Sequence, residues 1–326
     1  MKNALIFGLT GQDGTYLAKF LLDKGYNVSG TFRRTSHKCF ERLEEISIFD
    51  KVTTIKADLA DYGSIQSAIK KSMPDEIYNL AAQSFVGASF QQPILTSDIT
   101  GLGVLRILEA VKENTPDAKF YQASSSEMYG NYIGIKNEES PFIPRSPYGV
   151  AKVFAHNISN HYREAYNIFA CCGILFNHES PLRGLEFVTR KISWTLAEIK
   201  LGKQKKLKLG NIYAKRDWGF AGDYVEAMWM MLQQKNPDDY VIATGESHSV
   251  EEFLTLATDY AGLGDWHDFV EIDQSVMRPT DIEDLVGDAS KAKEKIGWKS
   301  KTSFKELVKK MVEHDIEYHK SHSLSF

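Results

Sequence analysis

The sequence predicts an α/β protein: a Rossmann-type doubly wound parallel sheet with a smaller C-terminal lobe. Three observations carry that prediction. Short β-rich runs alternate with helical patterns through the first half of the chain. A glycine-rich turn, Gly8-Leu9-Thr10-Gly11-Gln12-Asp13-Gly14, directly follows the first β-rich run and opens the first helix. Tyr148 and Lys152 stand four residues apart in Ser-Pro-Tyr-Gly-Val-Ala-Lys, at the start of a long helical pattern.

In chain order, strands are expected over Asn3–Phe7, Asn27–Thr31, Val52–Lys56, Glu76–Leu80, Lys119–Ala123 and Ile168–Leu175. Helices are expected between them at Thr15–Lys24, Tyr62–Lys71, Leu95–Glu113 and Tyr148–Tyr166. After about Asn177 the pattern changes to helices at Val188–Leu201, Asp223–Gln234, Val250–Ala261 and Ser303–Tyr318, with short strands between. No long linker or repeat intervenes, so residues 1–176 read as a dinucleotide-binding domain and 177–326 mainly as a smaller lobe closing over it. The polar end, Ser321 to Phe326, is expected to fray.

The chain has 326 residues, 43% hydrophobic and 25% charged, with a net charge of −4. That is an ordinary globular composition with no basic surface asking for nucleic acid or membrane. The N-terminal apolar run, Ala4 to Leu9, is too short for a signal peptide or a membrane span, so a cytoplasmic location is expected. Cys39, Cys171 and Cys172 have neither disulfide-framework nor zinc spacing and read as reduced core or near-core residues.

The glycine turn supplies the cofactor candidates Gly8, Thr10, Gly11, Gln12, Asp13 and Gly14. Glycines let the backbone approach a pyrophosphate, whose charge is stabilised by the helix N-terminus. An acid at the end of the second strand would accept from the ribose 2′-hydroxyl of NAD, but the chain reads Thr31-Phe32-Arg33-Arg34. Guanidinium groups, Arg33 foremost, suit a 2′-phosphate, which favours NADP. Asp58 and Leu59 after the third strand are candidates for the adenine. Leu80, Ala81, Ala82, Gln83 and Ser84 after the fourth give small residues where the nicotinamide half must pass closely.

On a helix, the Tyr148–Lys152 spacing puts phenol and ammonium on one face, where the positive charge stabilises phenolate and makes the tyrosine a base. Tyr132 and Lys136 share the spacing, but the glycines and polar run around them predict a loop. Tyr148 instead follows Pro147 and precedes the apolar stripe Val150, Phe154, Ile158 and Tyr162. A lone acid, Glu127, closes Ser124-Ser125-Ser126-Glu127. No helical run follows it, which argues against a capping box. His178-Glu179 lacks a second histidine at helical spacing, so no metal is expected. Ala227-Met228-Trp229-Met230-Met231 reads as a packed helix face.

With these residues in place, the chain resembles the extended short-chain dehydrogenase superfamily and, within it, the GDP-mannose 4,6-dehydratase family. The resemblance is carried by Gly8–Gly14, Asn79–Ser84, Tyr121–Gly130, Pro144–Lys152, Gly173–Gly184, Phe187–Ile192, Leu209–Tyr224 and Arg278–Asp288. It implies Tyr148 as base, Lys152 as its charge partner and ribose contact, Ser125 as a hydrogen-bond partner of the sugar 4-hydroxyl, and Glu127 as acid/base of the elimination. It further implies His178 and Arg183 at the cofactor, and Ser84, Asn177, Val188, Lys191, Arg216 and Arg278 at the GDP-sugar, in a homodimer or homotetramer. The chain departs from the family pattern at Ser125 (often Thr), Leu182 (often Arg), Phe85 (often His), Tyr213 (often acidic), and Asp281 with Glu283, which invert the usual acid sizes.

The implied chemistry agrees with the residues. Oxidation at carbon 4 acidifies the proton on carbon 5, and an acid such as Glu127 can then remove it and assist loss of water from carbon 6. A same-fold epimerase or reductase needs no acid there. Thymidine-diphosphate sugar dehydratases usually carry Asp-Glu where this chain has Ser126-Glu127, and a non-catalytic dinucleotide sensor would not need Tyr148, Lys152 and Glu127 together. Mannose and a GDP-linked manno-heptose both remain open as the sugar.

Overall fold

The computed structural model describes residues 1–273, 282 and 284–322. Six strands of the first half, β1 (Asn3–Phe7), β2 (Asn27–Phe32), β3 (Thr53–Lys56), β4 (Glu76–Asn79), β5 (Lys119–Ser125) and β6 (Ala170–Leu175), form one parallel sheet. A seventh strand, Tyr240–Ile242, adds in parallel beside β6. The order is Tyr240–Ile242, β6, β5, β4, β1, β2, β3. The chain therefore winds outward one way from β1 and the other way from β4, and the sheet switches direction between those two strands. Ligands of such sheets bind beyond the carboxyl ends of the strands at that switch.

Helices cover both faces, so β1, β4, β5 and β6 are buried almost throughout, while β2 and β3 at one edge are partly exposed. One face packs Leu17, Ala18 and Leu21 of helix Gln12–Asp23 and Val225, Met228 and Met231 of helix Ala221–Leu232. The other packs Ile65 and Ile69 of Tyr62–Ser72, Ile107, Leu108 and Val111 of Gly103–Asn114, and Ala155 and Tyr162 of Pro147–Tyr166. The methionine cluster is thus a packed helix face, as the sequence indicates. A separate core joins helices Val188–Lys200, Val250–Ala261 and Phe304–Ser321. The last two begin with capping boxes, Ser249 with Glu252 and Ser303 with Glu306. Past residue 176 the chain serves both cores, since helix Ala221–Leu232 and strand Tyr240–Ile242 pack in the first.

Two segments differ from the sequence expectation. The helix expected over 95–113 is built from Pro93–Thr96, a π-helical turn Ser97–Leu102 and Gly103–Asn114. The apolar stripe that marks helix Pro147–Tyr166 is only half its buried face: Val150 is 55% and Phe154 40% exposed, while Ile158 and Tyr162 pack in the core and Tyr148, Lys152 and His156 are buried. Tyr132 and Lys136 lie in a loop, where Lys136 Nζ donates to the Asp284 carbonyl at 3.1 Å. Arg278, Asp281, Glu283 and the tail 323–326 lie outside the described residues.

Candidate active site

The turn after β1 requires its glycines sterically. Gly8 has φ +91°, and a Cβ on it would meet Ala81 N at 2.9 Å; a Cβ on Gly14 would sit 2.2 Å from the Gly8 carbonyl oxygen. Gly11 is the N-cap of helix Gln12–Asp23, and no side chain caps it. A closely approached backbone at an uncapped helix N-terminus fits the pyrophosphate of a dinucleotide. Gly8, Gly11, Gln12, Asp13 and Gly14 line a cleft of about 200 Å³ there, with Leu80, Ala82 and Ser84 from the end of β4 on its next wall.

Asp13 is held within this turn by the segment after β6. Its Oδ2 lies 2.8 Å from His178 Nε2, while His178 Nδ1 lies 2.8 Å from the Phe176 carbonyl. Burial by itself would raise the Asp13 carboxyl, but His178 overcomes it and brings the group down to about 2. Burial likewise opposes the imidazolium, yet Asp13 raises His178 above its ordinary value. The result is a buried ion pair tying the glycine turn to the 177–183 segment. Gln12 Nε2 donates to the His178 carbonyl at 3.1 Å, and Ser180 Oγ donates to Gln12 Oε1 at 2.7 Å. Arg183 pairs with Glu179 at 3.1 Å, and its guanidinium lies 3.5 Å from the Phe187 ring centroid.

The opposite wall is β5 and helix Pro147–Tyr166. Proline at the helix start, with Ser146 Oγ accepting from Gly149 N at 3.0 Å, fixes that first turn and brings Tyr148 and Lys152 into the cleft. Ser125 at the end of β5 accepts from Glu127 N at 3.2 Å, closing the short 3₁₀ turn Ser126–Met128. Ser125 and Glu127 join Tyr148 and Lys152 in the wall. Lys152 Nζ donates to the Ala123 carbonyl at 2.6 Å and lies 5.7 Å from the Tyr148 ring centroid. Burial pushes Tyr148 up to about 12, against a hydrogen bond from Ser125, and pushes Lys152 down to about 8. In the protein alone, burial outweighs the stabilisation of phenolate expected from the four-residue spacing.

A second cavity of about 640 Å³ adjoins the first, sharing Asn177, Phe187 and Arg216 with it. Val188 and Lys191, from the first turn of helix Val188–Lys200, line it with Phe85. Arg216 Nη1 donates to the Ile282 carbonyl at 2.6 Å. Thr10, Arg33, Asp58, Leu59, Ala81 and Gln83 lie outside both walls. Arg33 is exposed just past β2, and Gln83 instead ties Phe85 and Thr96 together. Sequence reasoning missed Arg42, whose Nη1 donates to the Thr10 carbonyl at 3.1 Å and Nε to the Leu182 carbonyl at 2.7 Å. No local motif marks an arginine whose partners are two distant carbonyls.

The chain matches the GDP-mannose 4,6 dehydratase family model over residues 5–311. It belongs to that family. GDP-mannose 4,6 dehydratase 2 of Arabidopsis thaliana is 55% identical, covering 97% of this chain and 87% of the relative. The human GDP-mannose 4,6 dehydratase is 48% identical over 96% and 91%; that of Yersinia enterocolitica is 45% identical over 99% and 96%. Among solved structures, UDP-glucose 4-epimerase of Thermus thermophilus in complex with NAD superposes with a TM-score of 0.85 at 24% identity, covering 96% of this chain and 98% of that one. dTDP-glucose 4,6-dehydratase of Bacillus anthracis, in complex with NAD, gives 0.85 at 22%, covering 99% and 98%. These two likenesses establish the Rossmann-type fold. The family assignment rests on the closer relatives, and it favours the dehydratase reading over an epimerase or reductase.

Proposed function

We propose that this protein is a hydro-lyase that converts GDP-mannose to GDP-4-keto-6-deoxymannose, using NADP as a recycled cofactor. The observation that carries the reading is the meeting of Glu127 with Tyr148, Lys152 and Ser125 in the cleft at the sheet's switch point, in a chain of this family. An oxidoreductase needs the last three; the carboxylate is what elimination adds. When bound, the nicotinamide ring supplies a hydride store, accepting from carbon 4 of the sugar and returning to carbon 6.

The chain's own residues do the rest. Tyr148 takes the 4-hydroxyl proton, with Ser125 sharing the hydrogen bond and the Lys152 charge offsetting phenolate. Glu127 removes the carbon 5 proton, now acidified by the ketone, and delivers it to the 6-hydroxyl, which departs as water; carbon 5 is then reprotonated from solvent, and Tyr148 releases the 4-hydroxyl proton to solvent. The uncapped helix start and Gly8, Gly11 and Gly14 hold the pyrophosphate, Asp13, His178 and Arg183 order the turn beside it, and Arg33 with Arg34 receives the 2′-phosphate. Asn177, Val188, Lys191 and Arg216 hold the GDP-sugar in the second cavity, with Arg278. The Lys and Arg side chains suit its diphosphate.

Val150 and Phe154, with Ile94 and Leu102 from the neighbouring helical segments, form exposed apolar surface. A second copy of the chain would cover this surface in a homodimer or homotetramer. Among the described residues no helix is long and apolar enough to cross a membrane. The cysteines are free thiols, in keeping with a cytoplasmic enzyme.

The test is incubation of the purified protein, supplied with NADP, with a panel of nucleotide sugars including GDP-mannose and a GDP-manno-heptose. GDP-mannose should lose one water by mass, giving a 4-keto-6-deoxy product without net NADPH. Turnover of the heptose alone would reassign the sugar; turnover of neither would remove the reading.

A further inference from the structure

Helix Pro147–Tyr166 carries a polar column where a sheet-facing helix ordinarily presents apolar side chains. Tyr148, Lys152, His156 and Asn160 recur every four residues, the first three buried and the last half-buried. Tyr148 and Lys152 belong to the proposed chemistry. His156 and Asn160 do not touch it, yet they carry the column away from the cleft to Asp239.

Asp239 lies beside the edge strand Tyr240–Ile242, where its Oδ1 pairs with Arg163 and accepts Cys172 N at 3.0 Å. Its Oδ2 accepts Asn160 Nδ2 at 2.9 Å, while Asn160 Oδ1 accepts from Cys172 Sγ at 3.6 Å. The carboxylate on one side and the thiol on the other leave the Asn160 amide a single orientation, with its NH₂ toward Asp239. That same Nδ2 lies 3.3 Å from His156 Nε2, and Asp239 Oδ2 lies 3.5 Å from it; the nearer group, the amide NH₂, can only donate, which assigns Nε2 the accepting role. Burial, opposed by Asp239, lowers His156 below its ordinary pKa and keeps the ring neutral. A neutral ring with an accepting Nε2 carries its proton on Nδ1, which stands 3.0 Å from Ser124 Oγ. Ser124 Oγ therefore accepts from the imidazole, and its own hydroxyl proton is left to donate. Among the described residues that hydroxyl makes no other side-chain hydrogen bond, and Ser124 lines the cleft beside Ser125, Tyr148 and Lys152.

We propose that His156 is a positioning residue: with Asn160 and Asp239 fixing its tautomer, it holds Ser124 as a hydrogen-bond donor to an acceptor oxygen of the ligand in the cleft. The role deepens the catalytic reading of that cleft and rests on it. The link between His156 and Ser124 is a neutral hydrogen bond, so losing the Ser124 donor or its orientation should cost about tenfold in kcat/KM. Because His156 acts through Ser124, the two losses should not add.

Two measurements test this on the full chain. Long-range ¹H–¹⁵N correlations on protein labelled with ¹⁵N-histidine should show His156 protonated at Nδ1 with a pyridine-like Nε2. A ring protonated at Nε2, alone or with Nδ1, would overturn the proposal whatever the substrate. In turnover assays Ser124→Ala and His156→Phe should each lose about tenfold, and the double variant no more than Ser124→Ala alone. Ser124→Thr, which keeps the hydroxyl, should retain most activity. Multiplicative losses in the double variant, about a hundredfold, would overturn the relay. His156→Leu, which can neither accept nor donate, replaces His156→Phe in the cycle if that variant does not fold, while His156→Gln, which can accept from Asn160 and donate to Ser124, should retain most activity. A parent enzyme without dehydratase turnover would remove the catalytic reading and leave the tautomer assignment to the spectra.

Discussion

Replacing Lys152 with methionine should stabilise the fold while abolishing turnover. Lys152 is 4% exposed, and burial brings its ammonium from an ordinary 10.5 down to about 8. At about 1.4 kcal/mol for each tenfold change in proton affinity, the cationic side chain costs the folded state about 3 kcal/mol at neutral pH. The sign follows from linkage. Between about pH 8 and 10.5 the unfolded chain binds the proton that the folded chain has released, so stability rises with pH across that window. Methionine removes the charge and keeps most of the volume. The hydrogen bond to the Ala123 carbonyl is lost, but that oxygen still accepts from Gln122 Nε2 at 2.8 Å. Allowing for the lost bond, K152M should be about 2 kcal/mol more stable than the parent at pH 7; the parent regains about 3 kcal/mol as its folded lysine deprotonates, so the advantage vanishes near about pH 9.5 and reverses slightly by pH 10.5. Urea unfolding at pH 7 and pH 10 measures both. A variant less stable at pH 7, or a difference that does not shrink with pH, would refute the argument that burial dominates this site.

Three further outcomes follow from the same geometry. Tyr148→Phe should lower turnover by about a hundredfold or more, the scale of a general base, while Tyr132→Phe in its loop should change it little; steady-state kinetics on both decides, and a sensitive Tyr132 would contradict the assignment. Arg33→Ala should weaken NADP binding by about tenfold or more and NAD binding hardly at all, since a charge-assisted contact to the 2′-phosphate is worth about 1.5–3 kcal/mol; titration with both cofactors measures it, and equal affinities in the parent would remove the preference. Gly14→Ala should lose dinucleotide binding and about 1–3 kcal/mol of stability, because its Cβ would fall 2.2 Å from the Gly8 carbonyl oxygen; an alanine variant that binds like the parent would show that the turn does not need its glycine.

Much of this was legible in the sequence because local patterns and tertiary environment agree. The strand–turn–helix context of Gly8–Gly14 fixes the turn, and Pro147 with Ser146 fixes where the Tyr148 helix begins. What was illegible depends on contacts between distant residues. Val150 and Phe154 read as a core stripe by spacing, yet the sheet takes the Tyr148–Lys152–His156 face, whose Lys152 and His156 hydrogen-bond Ala123 and Ser124 of β5. Tyr240–Ile242 is too short to announce which sheet it joins, and it completes the first-half sheet beside β6 from beyond residue 176. Arg42 and the Asp13–His178 pair depend on contacts across more than a hundred residues of sequence. The helix expected over 95–113 lost its single period to the π-helical turn Ser97–Leu102, which supplies Thr100 to accept Gln83 N at 3.1 Å.

The central claim is that the cleft performs an internal redox cycle in which the acid, Glu127, turns oxidation into dehydration. It is tested most directly with GDP-mannose deuterated at carbon 4. The deuterium should appear at carbon 6 of the same product molecule, carbon 5 should take up hydrogen from solvent, and no NADPH should accumulate. Stoichiometric release of NADPH with carbon 6 unchanged, or deuterium lost to solvent, would contradict it.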